Sequence, residues 1–365
     1  MPRDIGKVRR VFPGGNTYKG FYSYYDYILQ QEDAKKIIVI KGGPGVGKSS
    51  FMKKLGAAMV KEGYDVEYHH CSSDNNSIDG VVFPQVGVAL MDGTAPHVVD
   101  PKNPGAVDEI IHLGDYWDED KIMSLRDDII KENTEVGRNF KRAYGYLSAA
   151  KGVYDNIKAN IDASVDKFLV SRLIEEVKLD VFQSVVNNNR YGKERHLFSS
   201  AITPDGVREH LDTIVSPNNT VLLLNGEYDS RQSYILKTIG NEALVRGHDV
   251  EFFHNHFVPE KVDNIVIKEL SVAITTSARF VDTANKVYNI DATLDAEILD
   301  ARSSEIEADN FVFNDLIEAA IENIKEAKKV HDVMEEYYIP NMDFEAIDFL
   351  RENVLDKILF IAENM

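Results

Sequence analysis

The residues with most to say about chemistry are Gly42-Gly43-Pro44-Gly45-Val46-Gly47-Lys48-Ser49, followed by Ser50. They fit G-x-x-x-x-G-K-[ST] at every specified position, after an apolar run and before a helical pattern. Glycines let a backbone turn round an anion so that successive N–H groups point inward, and a helix N-terminus adds a favourable dipole. The spacing predicts that Lys48 reaches the β- and γ-phosphates of a nucleoside triphosphate, ATP or GTP, and that Ser49 gives a hydroxyl ligand to Mg2+.

A triphosphate site also needs a carboxylate near its metal. Val86-Gly87-Val88-Ala89-Leu90-Met91-Asp92 reads as a buried strand ending in Asp92, which would order Mg2+ through its water shell. An Asp that merely begins the Asp92-Gly93 turn is the competing reading. The next residues, Thr94-Ala95-Pro96-His97, fall where strands of a parallel sheet present their ligand-facing ends. Thr94 or His97 is therefore placed to sense a γ-phosphate or polarise a nucleophile, with an ordinary loop histidine as the alternative for His97. His69-His70-Cys71-Ser72-Ser73-Asp74 ends another strand at the same edge, where a phosphotransferase would orient an acceptor or a water. Neighbours on a strand point to opposite faces, so His69, His70 and Cys71 do not readily share one ion. Asp74 is the functional candidate in this stretch.

The elements that must position these residues occur twice. Gly42 to Ala89 lies on Gly226 to Ala273 without a gap, matching Ser49 with Ser233, Lys53 with Lys237, Gly56 with Gly240 and Gly63 with Gly247. Asp65-Val66-Glu67 matches Asp249-Val250-Glu251, and His70 matches His254. Upstream, Arg9, Phe12 and Thr17 face Arg195, Phe198 and Thr203; downstream, Ala150-Lys151 resembles Ala327-Lys328. Two homologous domains follow, 1–190 and 191–365, linked near Asn187–Gly192. In each, a short apolar run (Ile37–Ile40; Val221–Leu224) reads as a buried strand and a helical pattern follows (Ser50–Glu62; Tyr234–Arg246). Further strands are expected at Asp65–His70 with Val86–Met91, and at Asp249–His254 with Leu270–Thr275. The alternation predicts an α/β fold with parallel sheets. Residues 119–186 and 296–362, charged and nearly free of Gly and Pro, are expected to form helical hairpins or lobes.

The second copy reads Gly226-Glu227-Tyr228-Asp229-Ser230-Arg231-Gln232-Ser233, placing Arg231 on Gly47 and Gln232 on Lys48. Glu227 and Asp229 put carboxylates where phosphates would lie, and Asp92 falls on Thr276. This half is expected to keep the fold without ordinary Mg-triphosphate binding and to serve as an internal partner, a built-in pseudo-dimer. An unusual phosphate site using Arg231 is the alternative, and Arg279 is a candidate arginine finger.

With these residues assembled, the chain resembles a bacterial family of tandem-duplicated P-loop proteins described only as ATPases or nucleotide kinases. The likeness spans nearly the full length. It rests on Arg9-Arg10-x-Phe12, the Gly42–Ser49 loop, Asp92 to His97, Leu113-Gly114-Asp115-Tyr116-Trp117, Arg195-His196-x-Phe198 and Ala201-Ile202-Thr203-Pro204. Arg231 and Gln232 depart from that family's better-kept second loop. The resemblance implies a P-loop NTPase fold and ATP binding, and brings no established substrate.

Composition bounds the remaining choices. The 365 residues carry 41 Lys plus Arg against 60 Asp plus Glu, a formal charge of −19, which argues against a general nucleic-acid binder. At 44% apolar and 28% charged the chain has globular composition. Cys71 is the single cysteine, so neither an intramolecular disulfide nor a Cys-rich zinc site is possible. No apolar run approaches a membrane span, and Met1-Pro2-Arg3-Asp4 leads into no secretory apolar stretch, so a cytoplasmic location is expected. The leading expectation is an Mg-dependent ATPase active in the first half, with Lys48, Asp92, Asp74 and His97 as candidate catalytic residues. A kinase acting on a nucleotide or other small-molecule acceptor is the second reading, though Arg126, Arg138 and Arg142 do not form a lid. A nucleotide-gated interaction protein with negligible turnover is the third.

Overall fold

A computed structural model of the chain describes residues 5–94, 98–183, 185–228 and 231–364. The first repeat runs β1 (Val8–Val11), β2 (Gly14–Thr17), β3 (Gly20–Ser23), β4 (Lys36–Lys41), α1 (Lys48–Lys61), β5 (Val66–His70), β6 (Ile78–Phe83), β7 (Val88–Asp92) and β8 (Asp108–His112). It continues into α2 (Glu119–Ser124), α3 (Arg126–Asp162) and α4 (Lys167–Phe182). The second runs β9 (Glu194–Phe198), β10 (Ser200–Thr203), β11 (Gly206–Glu209), α5 (Leu211–Ile214), β12 (Thr220–Asn225) and α6 (Gln232–Val245). There follow β13 (Val250–His254), β14 (Val262–Ile267), β15 (Val272–Thr275), β16 (Lys286–Asn289), α7 (Ala296–Tyr338) and α8 (Phe344–Glu363).

Each repeat builds a six-stranded sheet, in the order β1-β5-β6-β7-β4-β8 and, in the second, β9-β13-β14-β15-β12-β16. The sheets are mixed, which corrects the expectation of parallel ones: β6 and β14 run antiparallel to both neighbours. The cause is loop length. Only residues 71–77 join β5 to β6, and a turn closed by Gly87 (φ 68°) joins β6 to β7, whereas a parallel crossover takes a dozen residues or more. Asp79 and Gly80 interrupt the apolar pattern of β6, hiding that strand from a search for continuous apolar runs.

The repeated identities are explained by packing. Gly56 and Gly240 sit where a Cβ would come within 2.4 Å of Tyr68 and Phe252, so each lets its helix lie against its sheet. Ser49 Oγ accepts from Ile78 N at 3.0 Å, and Ser233 Oγ accepts from Val262 N at 2.9 Å. Asp65 and Asp249 accept from the amides of Lys7 and Lys193 at 2.7 and 2.8 Å, docking the edge strands β1 and β9.

The two sheets meet at those edges. Phe12 and Phe198 exchange both backbone hydrogen bonds at 2.9 Å. Behind them the guanidinium groups of Arg9 and Arg195 are shared between Glu67 and Glu251, with Arg195 Nη1 3.1 Å from Glu67 Oε2 and 3.0 Å from Glu251 Oε1. Burial opposes ionisation of both carboxyls. Arg195, His69 and Arg9 nevertheless hold Glu67 well below the usual range, and Arg9, Lys268 and Arg195 do the same for Glu251.

The hydrophobic clusters cross the repeat boundary. Ile347, Val354 and Ile358 of α8 complete the core between α1 and the first sheet, beside Met52, Leu55 and Met59. Reciprocally, Val170, Leu173, Ile174 and Val177 of α4 complete the core between α6 and the second sheet, beside Ile235, Leu236 and Ile239. Helices α3 and α7 make this exchange possible: at 37 and 43 residues they are roughly 55 and 65 Å long and reach from one sheet to the other. Ala143, Leu147 and Ala150 pack on Ala320 and Ile324, small residues that let the antiparallel axes come close. Polar pairs at either end, Arg142 Nε to Asn323 Oδ1 at 3.0 Å and Arg302 Nη1 to Asn160 Oδ1 at 2.9 Å, fix the register. Each hairpin turn is then tied to the opposite repeat: Asp343 N donates to Tyr116 O and Asp166 N to Thr293 O, both at 2.8 Å. Among the described residues no helix is long and apolar enough to cross a membrane.

Candidate functional site

The segment 42–47 passes from the buried end of β4 into α1. Gly45 and Gly47 hold φ of 67° and 90°, a region costly for residues with a Cβ, so these glycines make the turn possible. Val46 points inward and is fully buried, anchoring the loop to the core, while Ser50 is exposed on the first turn of α1. Among the described residues no side chain caps α1. By contrast α4, α7 and α8 are each capped by an aspartate, Asp166, Asp295 and Asp343. The corresponding helix of the second repeat, α6, likewise has no side-chain cap among the described residues, so its first-turn amides are in the same position as those of α1.

Lys48 curls back over this turn, donating from Nζ to Gly42 O at 3.0 Å and Gly43 O at 2.8 Å. Asp92, at the end of the adjacent strand β7, brings Oδ2 to 3.6 Å from the same ammonium and accepts from Thr94 N through Oδ1 at 2.8 Å. Thr94 Oγ1 donates to Gly42 O at 3.0 Å, so the end of β7 is fastened to the start of the loop. Lys48 and Asp92 therefore meet at the C-terminal edge of the sheet, with Ser49 next in the chain on the first turn of α1. Ser49 Oγ already receives Ile78 N, a bond repeated in the other half, so its hydroxyl has a structural duty as well. His97 lies outside the described residues.

Asp74 lies in the loop between β5 and β6, beside α1. Its Oδ1 accepts from Asn76 N at 2.9 Å, and Lys53 of α1 donates to Asn76 O, so the 71–77 loop is held against the first turns of that helix. Asp74 Oδ2 is 3.5 Å from Lys328 Nζ. The rest of that edge is otherwise engaged. His70 meets Arg10 Nη1 at 3.0 Å and stacks near His210, and His69 is buried beside Glu67. Cys71 is buried, and that burial pushes its thiol well above the ordinary range.

The second repeat lays the end of α7 over the loop. A Cβ on Gly43 would come within 3.0 Å of the Tyr338 ring, and one on Gly45 within 3.1 Å of Glu335 O and 3.0 Å of Ile339 Cγ1. His331 Nδ1 lies 3.5 Å from Glu335 Oε1 on the same helix. Burial, then the charge of Lys328, holds the His331 imidazole below its ordinary pKa; burial raises the Glu335 carboxyl, and the fields of Lys48 and Asp74 reach both. Sequence reasoning did not single out Lys328, His331, Glu335 or Tyr338. Lys328 was visible only as a repeat marker, because a charged helical face does not announce which sheet it crosses.

In the second repeat the described residues around the corresponding loop bond to the protein's own groups. Gln232, standing for Lys48, donates from Nε2 to Tyr228 O at 2.7 Å. Arg231 turns to Asp162 of α3 at 3.7 Å, and the amide of Glu227 donates to Asp291 Oδ2 at 2.8 Å. Arg279 is paired with Glu209 and Asp212 inside its own repeat. Arg126, Arg138 and Arg142 are exposed. Comparison with protein-family models, with curated proteins and with solved structures gave no match to this chain.

Proposed function

We propose that the first repeat binds a nucleoside triphosphate, ATP or GTP, together with Mg2+ at the Gly42–Ser49 loop and hydrolyses it, while the second repeat is a catalytically silent partner. The observation that carries this reading is the pairing of two features: a glycine turn with left-handed Gly45 and Gly47, and Lys48 within 3.6 Å of Asp92. Lys48 would exchange its two loop carbonyls for phosphate oxygens, a stronger, charge-assisted interaction. The first-turn amides of α1 would face the same anion.

Ser49 Oγ and the Asp92 carboxylate are hard oxygen donors, the set that suits Mg2+, and Ser49 keeps a lone pair beyond the one given to Ile78 N. When bound, the ion supplies neutralisation of charge on the phosphoryl oxygens. Asp92 would hold the metal-ordered waters, and Asp74 would border the terminal phosphate from the β5–β6 loop. A kinase would need the His69–Asp74 edge to enclose an acceptor; of that edge Asp74 turns toward α7, while His70 meets Arg10. The packing of α7 on the loop favours a coupling between the nucleotide and the arrangement of the halves.

The test is hydrolysis of Mg-ATP and Mg-GTP by the purified chain without added acceptor, alongside Lys48→Ala. Phosphate release that depends on Lys48 supports the proposal. Turnover that appears only with a metabolite turns the reading to a kinase, and tight binding without turnover turns it to a nucleotide-gated interaction protein.

A further inference from the structure

Helix α7 carries Lys328, His331 and Glu335 on one stripe, spaced three and four residues apart so that they share a face. This stripe belongs to the second repeat in sequence, yet it faces the loop of the first. Three independent contacts place it there. Lys328 Nζ is 3.5 Å from Asp74 Oδ2, the Glu335 backbone meets Gly45, and the Tyr338 ring meets Gly43. Because Lys53 holds the Asp74 loop beside α1, Lys328 stands beside the first turns of that helix. Its ammonium also pairs with Asp332 one turn on, which leaves two carboxylates competing for one cation.

Charge decides what this lysine is for. The charged groups around the loop include Asp74, Asp92, Asp332 and Glu335 against the ammonium groups of Lys48, Lys53 and Lys328, and burial lowers the pKa of His331. A magnesium-bound triphosphate remains net negative and would add to those carboxylates, so a further cation over the loop is favoured. The equivalent lysine on α3, Lys151, makes the same pair one turn on, with Asp155, but lies over the rings of Tyr18 and Tyr154 where Lys328 faces Asp74. The two long helices are thus built alike, but only α7 brings its carboxylate-paired ammonium to a loop region that also has Lys48.

We propose that Lys328 contacts the terminal phosphate of the nucleotide held by the first repeat, a cation supplied to one repeat by the exchanged helix of the other. This rests on the nucleotide reading above. With the loop empty, Asp74 and Asp332 hold Lys328 in place; with a triphosphate bound, the ammonium shifts its hydrogen bonds from those carboxylates to phosphate oxygen. A diphosphate, which lacks the terminal group, leaves the Asp74 pair intact.

Amine acetylation read by mass spectrometry on the full-length wild-type chain separates the two claims. Lys48 should be protected by Mg-ADP and by a non-hydrolysable Mg-ATP analogue. Lys328 should be protected by the analogue alone, its modification slowed by about tenfold, the scale of one hydrogen bond between charged groups. Protection of Lys48 with Lys328 modified at one rate throughout overturns the proposal and leaves the nucleotide reading standing. Protection of neither overturns both. As a second readout, Lys328→Gln should weaken the analogue about tenfold and leave ADP affinity within about twofold, with Lys328→Arg restoring the difference. Equal weakening of both nucleotides, or of neither, counts against the assignment.

Discussion

Arg9 of the first repeat donates from Nη1 to Glu251 Oε1 of the second at 2.9 Å, within a buried square that Arg195 and Glu67 complete. Removing one member leaves the remaining charges buried without balance. Glu251→Ala is expected to cost about 3–5 kcal/mol of stability, measured by denaturant unfolding. A loss below about 1 kcal/mol, the scale of an exposed ion pair, would contradict the role given to the square.

The histidines flanking this junction set an acid limit on stability. Burial, with the neighbouring charge of His210, Arg10, Lys53 and His69, lowers His70 to about 3. Burial and His196 likewise lower His254 to about 3, while burial lowers His210 and His256 to about 4. These groups take up protons near pH 6.5 when unfolded and refuse them when folded. Their contribution is therefore full above about pH 6.5 and lost progressively as pH falls toward the folded values. The midpoint of thermal unfolding should drop by about 5 °C or more between about pH 7 and about pH 5, and His70→Gln with His254→Gln should flatten the fall. An unchanged slope in that double variant would remove these histidines from the explanation.

Exchange of α4 and α8 makes each core depend on the other repeat. Ile358→Ala, a substitution in the second repeat, should destabilise the first by about 2–5 kcal/mol, seen as faster hydrogen exchange in α1. Residues 1–190 expressed alone lack α8 and should aggregate or self-associate, and co-expression with 191–365 should rescue them. A well-folded monomer of 1–190 would show that α4 can turn back onto its own sheet.

Asp92→Asn keeps the size of the side chain and removes its charge beside Lys48. Nucleotide binding in the absence of Mg2+ should survive, while the gain in affinity on adding Mg2+ should shrink and hydrolysis should fall by about 100-fold or more. Retention of full magnesium dependence would move the metal role away from Asp92.

Much of the fold was legible because it is written in local signals. Ile37–Ile40 and Val221–Leu224 fall within β4 and β12, and the glycines after α1 and α6, Gly63 and Gly247, hold φ of 84° and 86°. The reversal of β6 was not legible, since Asp79 and Gly80 broke its pattern and nothing local fixes strand direction. The helix exchange was also hidden. The apolar face of α8 reads the same whichever sheet receives it, and only the length of α3 and α7 hints that they reach across. At the candidate site, residues that differ between repeats were the informative ones. Lys48, Asp74 and Asp92 have lost counterparts in Gln232, Val258 and Thr276, whereas the shared His70 and Glu67 serve the junction. Lys328 and Glu335 escaped because their relevance depends on a contact between the repeats.

The central claim is that one loop of the two receives a nucleotide. Equilibrium titration of the full chain with Mg-ATP and Mg-GTP, comparing wild type with Lys48→Ala and Gln232→Ala, tests it most directly. The account predicts a single binding event per chain, abolished by Lys48→Ala and changed less than about twofold by Gln232→Ala. No binding of either nucleotide in the presence of magnesium, or equal loss in the two variants, would contradict it.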